Sequence, residues 1–160
     1  MKSAINIANY FLKKSFEDGI DMTPMKLIKL VYIAHGWHLG LFDSELISEP
    51  TEAWKYGPVV SSVYRMFKKY KTERISSIDF PNEKYKGEYY DLLKDVNTSA
   101  FLDKIWDVYK SYSGGQLSDL THQANTPWSK TWNEKGGSLT YGAIIPNDVI
   151  KAHYKEKFNL

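Results

Sequence analysis

Apolar residues recur every three or four positions at Ala4, Ile7, Ala8, Phe11 and Leu12. That is the spacing of one helical face, and Ser3 before it is a residue type that caps helix N-termini. The pattern predicts a first helix from about Ala4 to Phe16, with Gly19 in the turn after it. Thr23-Pro24 sets up a second start, Thr as cap and Pro at the first helical position, where its missing N–H costs nothing. Leu27, Leu30, Val31, Ala34, His38 and Leu41 then mark one stripe, and Tyr32, Ile33 and Trp37 widen it. A helix apolar on that much of its circumference belongs at the centre of a core.

The helical period stops between Gly40 and Trp54, where Asp43, Glu45, Glu49 and Glu52 surround Leu46, Ile47 and Pro50. This reads as an acidic loop with room for a short strand. Val59, Val60, Val63, Tyr64 and Phe67 predict a third helix from about Pro58 to Tyr70. Residues 72–96 show no clear period and read as a long surface connection, with Tyr89 to Leu93 as a strand or helical turn. Phe101, Leu102, Ile105, Trp106, Tyr109 and Tyr112 form a fourth stripe, and Ser113-Gly114-Gly115 is expected to end it. A short helix over Leu117 to Ala124, a turn from Thr126-Pro127-Trp128 to Trp132, and a last helix from Ile145-Pro146 through Tyr154 complete the chain. The expected fold is mainly α: one compact single-domain helical bundle spanning residues 1–160, of about five or six helices, with a short β element admitted near residues 44–57 and 75–93.

Composition narrows the chemistry. With 21 Lys+Arg against 19 Asp+Glu the formal charge is only +2, too small to announce nucleic acid. The absence of cysteine excludes thiolate metal sites, disulfides and a cysteine nucleophile, and fits a reducing, cytoplasmic setting. No apolar run approaches the ~18 residues of a membrane span, so no membrane insertion is expected. No phosphate-binding glycine motif and no serine nucleophile elbow occurs. His35 and His38 share one helix, and with His122 they form the single candidate for a metal-dependent hydrolase; the familiar zinc spacings are missing, so packed, hydrogen-bonded rings are the simpler reading. Lys55, Arg65, Lys68, Lys69, Lys71 and Arg74 against Glu73 make a basic stripe. It could meet phosphates as a nucleic-acid-binding regulator, an acidic protein, or water; with an acidic loop next to it to compensate, solvated surface weighs heaviest. Five Trp exceed what a core of this size commonly needs, so some are expected at the surface, where Trp, Tyr and Arg dominate interface hot spots.

The run from Lys26 through Lys29, Tyr32, Ala34, Gly36 and Trp37, followed by Glu52-Ala53-Trp54-Lys55-Tyr56-Gly57-Pro58-Val59, strongly resembles the Panacea-domain antitoxin family of SocA-like and phage-associated GepA-like proteins. Leu120-Thr121-His122 and Pro127-Trp128 resemble a later segment of the same pattern, and Ile144 to Tyr154 its closing helix. The chain departs from the pattern at Ile28, commonly a glutamine. The resemblance implies a non-enzymatic antitoxin that needs no cofactor or metal. It implies neutralisation of a cognate protein toxin, encoded adjacently, by direct binding, with delivery to a protease as a further route. Some relatives carry an additional DNA-binding domain; none is expected within these 160 residues, so operator binding is not an expected activity.

Candidate motif or partner-binding residues are therefore Lys26, Tyr32, Trp37, His38, Trp54, Lys55, Tyr56, Gly57, Pro58, Arg65, His122 and Trp128. The expected contact is an exposed aromatic patch around Trp54, Tyr56 and Trp128, with Lys55 and Arg65 supplying charge complementarity. The oligomeric state is left open by the sequence.

Overall fold

The computed structural model describes residues 1–159. Helix α1 (Ala4–Asp18) starts where Ser3 Oγ accepts the Asn6 amide, and ends at left-handed Gly19, whose N–H returns to the Ser15 carbonyl. Helix α2 (Pro24–Phe42) has Thr23 as cap and is buried from Lys26 to Gly36, so the wide apolar stripe predicts its central position correctly. Around it pack α1, α3 (Ser61–Phe67), α5 (Val96–Tyr109), α6 (Gly114–Thr121) and α8 (Asn147–Phe158), while α4 (Glu83–Lys94) covers α1 and α5. Helix α7 (Pro127–Ser129) is a single turn that runs into a π-helical turn, Lys130–Glu134. Leu12, Leu27, Leu30, Phe67, Leu102, Trp106 and Tyr154 belong to one shared core.

A small antiparallel sheet sits on the side of this bundle. Its order is β2 (Gly57–Val59), β1 (Thr51–Trp54), β3 (Ile144–Ile145), with Trp54 opposite Gly57 and Thr51 opposite Ile145. Lys55 and Tyr56 are thus the two-residue tip of a hairpin.

Three expectations need correcting. No strand forms over 75–93: residues 83–94 are a helix, started by Asn82, whose side chain accepts the Lys84 and Tyr85 amides. Tyr85, Tyr89, Leu92 and Leu93 do have helical spacing, but Gly87 and the alternating charges obscure it. Gly114-Gly115 opens a helix instead of ending one, because Ser113 and Gln116 form a reciprocal capping box there. Finally, α3 begins at Ser61 rather than Pro58, since Gly57–Val59 is taken by the sheet.

The acidic loop is consumed by the fold. Glu49 accepts the Ala4 amide at the start of α1 (3.0 Å) and the Ser62 hydroxyl at the start of α3 (3.1 Å), placing negative charge at two helix N-termini. Asp43 pairs with Lys155 (2.8 Å) and Lys151 (3.5 Å) on α8. Glu45 accepts from Asn147, and Glu52 from the Trp54 indole. None of the four forms an ion pair with the basic stripe, so the expected compensation does not occur among the described residues.

Candidate partner-binding site

The hairpin tip is held from behind through its carbonyl oxygens. The Trp128 indole donates to the Trp54 carbonyl (2.6 Å), Ser118 Oγ to the Tyr56 carbonyl (2.9 Å), and Lys29 Nζ to the Pro58 carbonyl (3.0 Å). Three elements, α7, α6 and α2, thus anchor one turn. Lys55 and Tyr56 have ordinary negative φ, and the mismatch with the strand twist is taken up at Gly57, where φ is +117°. A side chain at Gly57 would in addition meet Lys29 Nζ at 2.9 Å. The Trp-Lys-Tyr-Gly-Pro run is therefore a rigid turn that projects Lys55 and Tyr56, the latter 61% exposed.

The candidate residues divide between this display and the scaffold beneath it. Lys26 is buried, its ammonium donating to the Lys110 carbonyl at the end of α5. Tyr32 is buried against Tyr154, with its hydroxyl pushed up in pKa by burial. Half-buried Trp37 donates its indole N–H to the Tyr109 hydroxyl (2.8 Å). Gly57 and Pro58 are buried in the hairpin, whereas Lys55, Tyr56 and Arg65 face solvent. Trp54 is half-buried, its ring edge-on to Tyr64 at 4.9 Å. Trp128 cannot belong to an exposed patch: it is 6% exposed, because its ring packs between His122 and Trp132 while its N–H holds the hairpin.

The histidines do not converge. His35 is buried with Nε2 3.0 Å from Asn147 Oδ1; His38 Nδ1 lies 2.7 Å from the Ser44 carbonyl, with its ring between Phe42 and Phe101. His122 engages the Ser118 carbonyl. Each ring is committed to a different neighbour, and no cluster of three metal-ligating side chains occurs among the described residues.

Among the apolar concavities on the described surface, two border α2. The larger, about 740 Å³, lies between α2 and α5, and Lys104 is its one lysine or arginine. The smaller, about 400 Å³, lies between the first turns of α2, the hairpin tip and α3. Its walls include Met25, Ile28, Trp54, Tyr56 and Tyr64, and Lys29, Lys55, Lys68 and Lys71 line it too. Lys29 is the residue that sequence reasoning missed. Its amine is buried without a carboxylate partner, and desolvation lowers its pKa to about 7. The available signal was a lysine in the middle of a run that is otherwise apolar almost all round.

Residues 27–129 match the family described as "Antitoxin SocA-like, Panacea domain". The chain is also 28% identical over 151 residues to a protein named "Antitoxin SocA" from Caulobacter vibrioides (strain NA1000 / CB15N), across 93% of this chain and 80% of that protein. No solved structure matches the chain. No helix among the described residues is long and apolar enough to cross a membrane.

Proposed function

This chain belongs to the antitoxin SocA-like, Panacea-domain family, and from that premise we propose that it is a non-enzymatic antitoxin that neutralises a cognate protein toxin by binding it directly. The observation that carries this reading is the clamped hairpin tip: one surface turn receives donors from three separate elements, and the residues it presents are a lysine and a tyrosine. Pre-organising an exposed aromatic lowers the ordering cost of association, which suits a binding surface. Trp54, Lys55 and Tyr56 are the proposed contacts, with Arg65 adding positive charge nearby. The alternative centred on His35, His38 and His122 loses its basis, because the rings serve three different neighbours.

The test is co-expression with the product of the neighbouring gene, in cells where that product arrests growth. Restored growth together with co-purification of an intact complex is the expected result. Unaffected toxicity with no co-purification would overturn the reading. Delivery to a protease is separated by following the toxin's level: direct occlusion leaves it unchanged when the protease is deleted, whereas an adaptor needs the protease for rescue.

A further inference from the structure

The groove beside the hairpin carries a charge pattern that the antitoxin reading does not explain. Four amines line it, Lys29, Lys55, Lys68 and Lys71, and none has a carboxylate within ion-pair distance among the described residues. Their sequence neighbours behave otherwise: Lys69 pairs with Asp79 at 3.1 Å and Arg74 reaches Asp21 at 3.9 Å. Lys69 and Arg74, which do not line the groove, are thus paired, whereas the four lysines that line it are not. The nearby acidic loop, the natural source of compensation, is spent on α1, α8, Asn147 and Trp54. Lys29 sharpens the point, since a buried amine with a single backbone acceptor is costly to keep charged and leaves donor capacity unused.

Between these amines the walls are aliphatic as well as aromatic. Met25 is 40% exposed and Tyr64 38%, beside Ile28 and Val59. Methionine is a deformable surface for a partner side chain. The first turn of the 19-residue helix α2 also lines the groove, so its positive dipole end adds to the field of the lysines.

We propose that this groove is a socket for an acidic peptide segment of the protein partner, in which a large apolar side chain enters between Met25, Ile28 and Tyr64 while flanking carboxylates meet Lys55, Lys68 and Lys71. The inference rests on the antitoxin reading for the partner's role, but the socket's chemistry stands on the groove alone. A nucleic-acid strand fits less well, because the walls offer aliphatic side chains along with the aromatic rings that bases stack on, and the chain as a whole is nearly neutral.

Panning a random dodecapeptide phage library on the full chain tests it. The expected yield is a consensus with Asp or Glu beside Leu, Phe, Met or Trp. A synthetic consensus peptide should then bind at least tenfold more weakly to a Lys55→Glu/Lys68→Glu/Lys71→Glu variant whose circular dichroism and melting temperature are unchanged. Lys29→Met probes the buried amine, and the exposed triple variant keeps the test valid if Lys29→Met does not fold. A consensus without acids, no consensus, equal binding by the triple variant, or preferential binding of a single-stranded dodecanucleotide through the same lysines would overturn the socket. Undiminished neutralisation by the triple variant would overturn it while leaving the antitoxin reading intact. Acidic-peptide binding by a chain that neither rescues growth nor co-purifies with the neighbouring product would uphold the socket and remove the antitoxin reading.

Discussion

The indole N–H of Trp128 lies 2.6 Å from the backbone carbonyl oxygen of Trp54, across 74 positions of sequence. The two tryptophans are therefore coupled through backbone and not through ring contact: the buried one fixes the strand from which the half-exposed one projects. Trp128→Phe keeps most of the apolar volume and deletes the donor. An unsatisfied buried acceptor costs about 1–3 kcal/mol, and the expected result is a lower urea midpoint with an unchanged m-value. Amide exchange should accelerate at Tyr56 and Gly57 more than in α5. Uniform acceleration throughout the chain would show that the indole supports the whole core and not the hairpin in particular.

Lys29 makes stability depend on pH at neutral and alkaline values. Burial lowers its pKa from 10.5 to about 7 in the folded chain. Between these values the unfolded chain binds the extra proton and the folded one does not, so stability rises with pH across that window; below about 7 the penalty of the buried charge is fully present. Each unit of separation corresponds to about 1.4 kcal/mol. Lys29→Met should flatten the rise between about pH 7 and 10, as read from urea midpoints of both proteins in matched buffers. Parallel curves for the two would mean that the amine keeps an ordinary pKa.

These two contacts also show where sequence reading succeeds and where it stops. The central place of α2 is legible because an apolar stripe wraps most of Leu27 to Leu39. The caps Ser3 and Thr23 are legible because their chemistry is local. Helix α4 is hidden because Gly87 and charges at half of its positions dilute its Tyr85, Tyr89 and Leu92 stripe, and its stability comes from packing on α1. The Gly114-Gly115 pair misleads for a related reason: glycine is common after helices, and the capping box that makes it a beginning is a geometry of Ser113 and Gln116 together. For the candidate site, the Trp54 to Pro58 run is visible as a string of residues. That its carbonyls are held by Lys29, Ser118 and Trp128 is a long-range fact, and so is the pairing of Asp43 with α8 that leaves the groove lysines uncompensated.

Two helical glycines should respond in opposite directions to the same substitution. A Cβ at Gly87 would meet nothing within 4 Å, so Gly87→Ala removes only backbone freedom from the unfolded chain. It should stabilise by about 0.5–1 kcal/mol. A Cβ at Gly36 would overlap the ring of buried Tyr154, where α8 crosses α2. Overpacking of this kind costs about 1–3 kcal/mol or more, and Gly36→Ala should lower the melting temperature by several degrees, at roughly 2–4 °C per kcal/mol for a chain of this length. A Gly36→Ala protein as stable as its parent would mean that the α2–α8 contact relaxes at no cost.

On the acid side His35 contributes, as does His153, whose pKa burial also lowers. The His35 ring is fully buried on α2, its Nδ1 has no hydrogen-bond partner, and Nε2 lies 3.0 Å from Asn147 Oδ1. Burial holds its pKa below the ordinary 6.5, only partly offset by the Asn147 contact and the charge of Glu45. As pH falls through 6.5 the unfolded chain takes up a proton that the folded chain resists, so this residue makes stability fall with pH. His35→Gln cannot take up that proton and should lose this part of the slope, whatever its own cost at neutral pH. Urea midpoints at about pH 7, 6 and 5 stay above the ordinary carboxylate range, about 3.9 for Asp and 4.3 for Glu. Over that interval the parent should weaken progressively relative to His35→Gln, and equal slopes would place the acid sensitivity elsewhere.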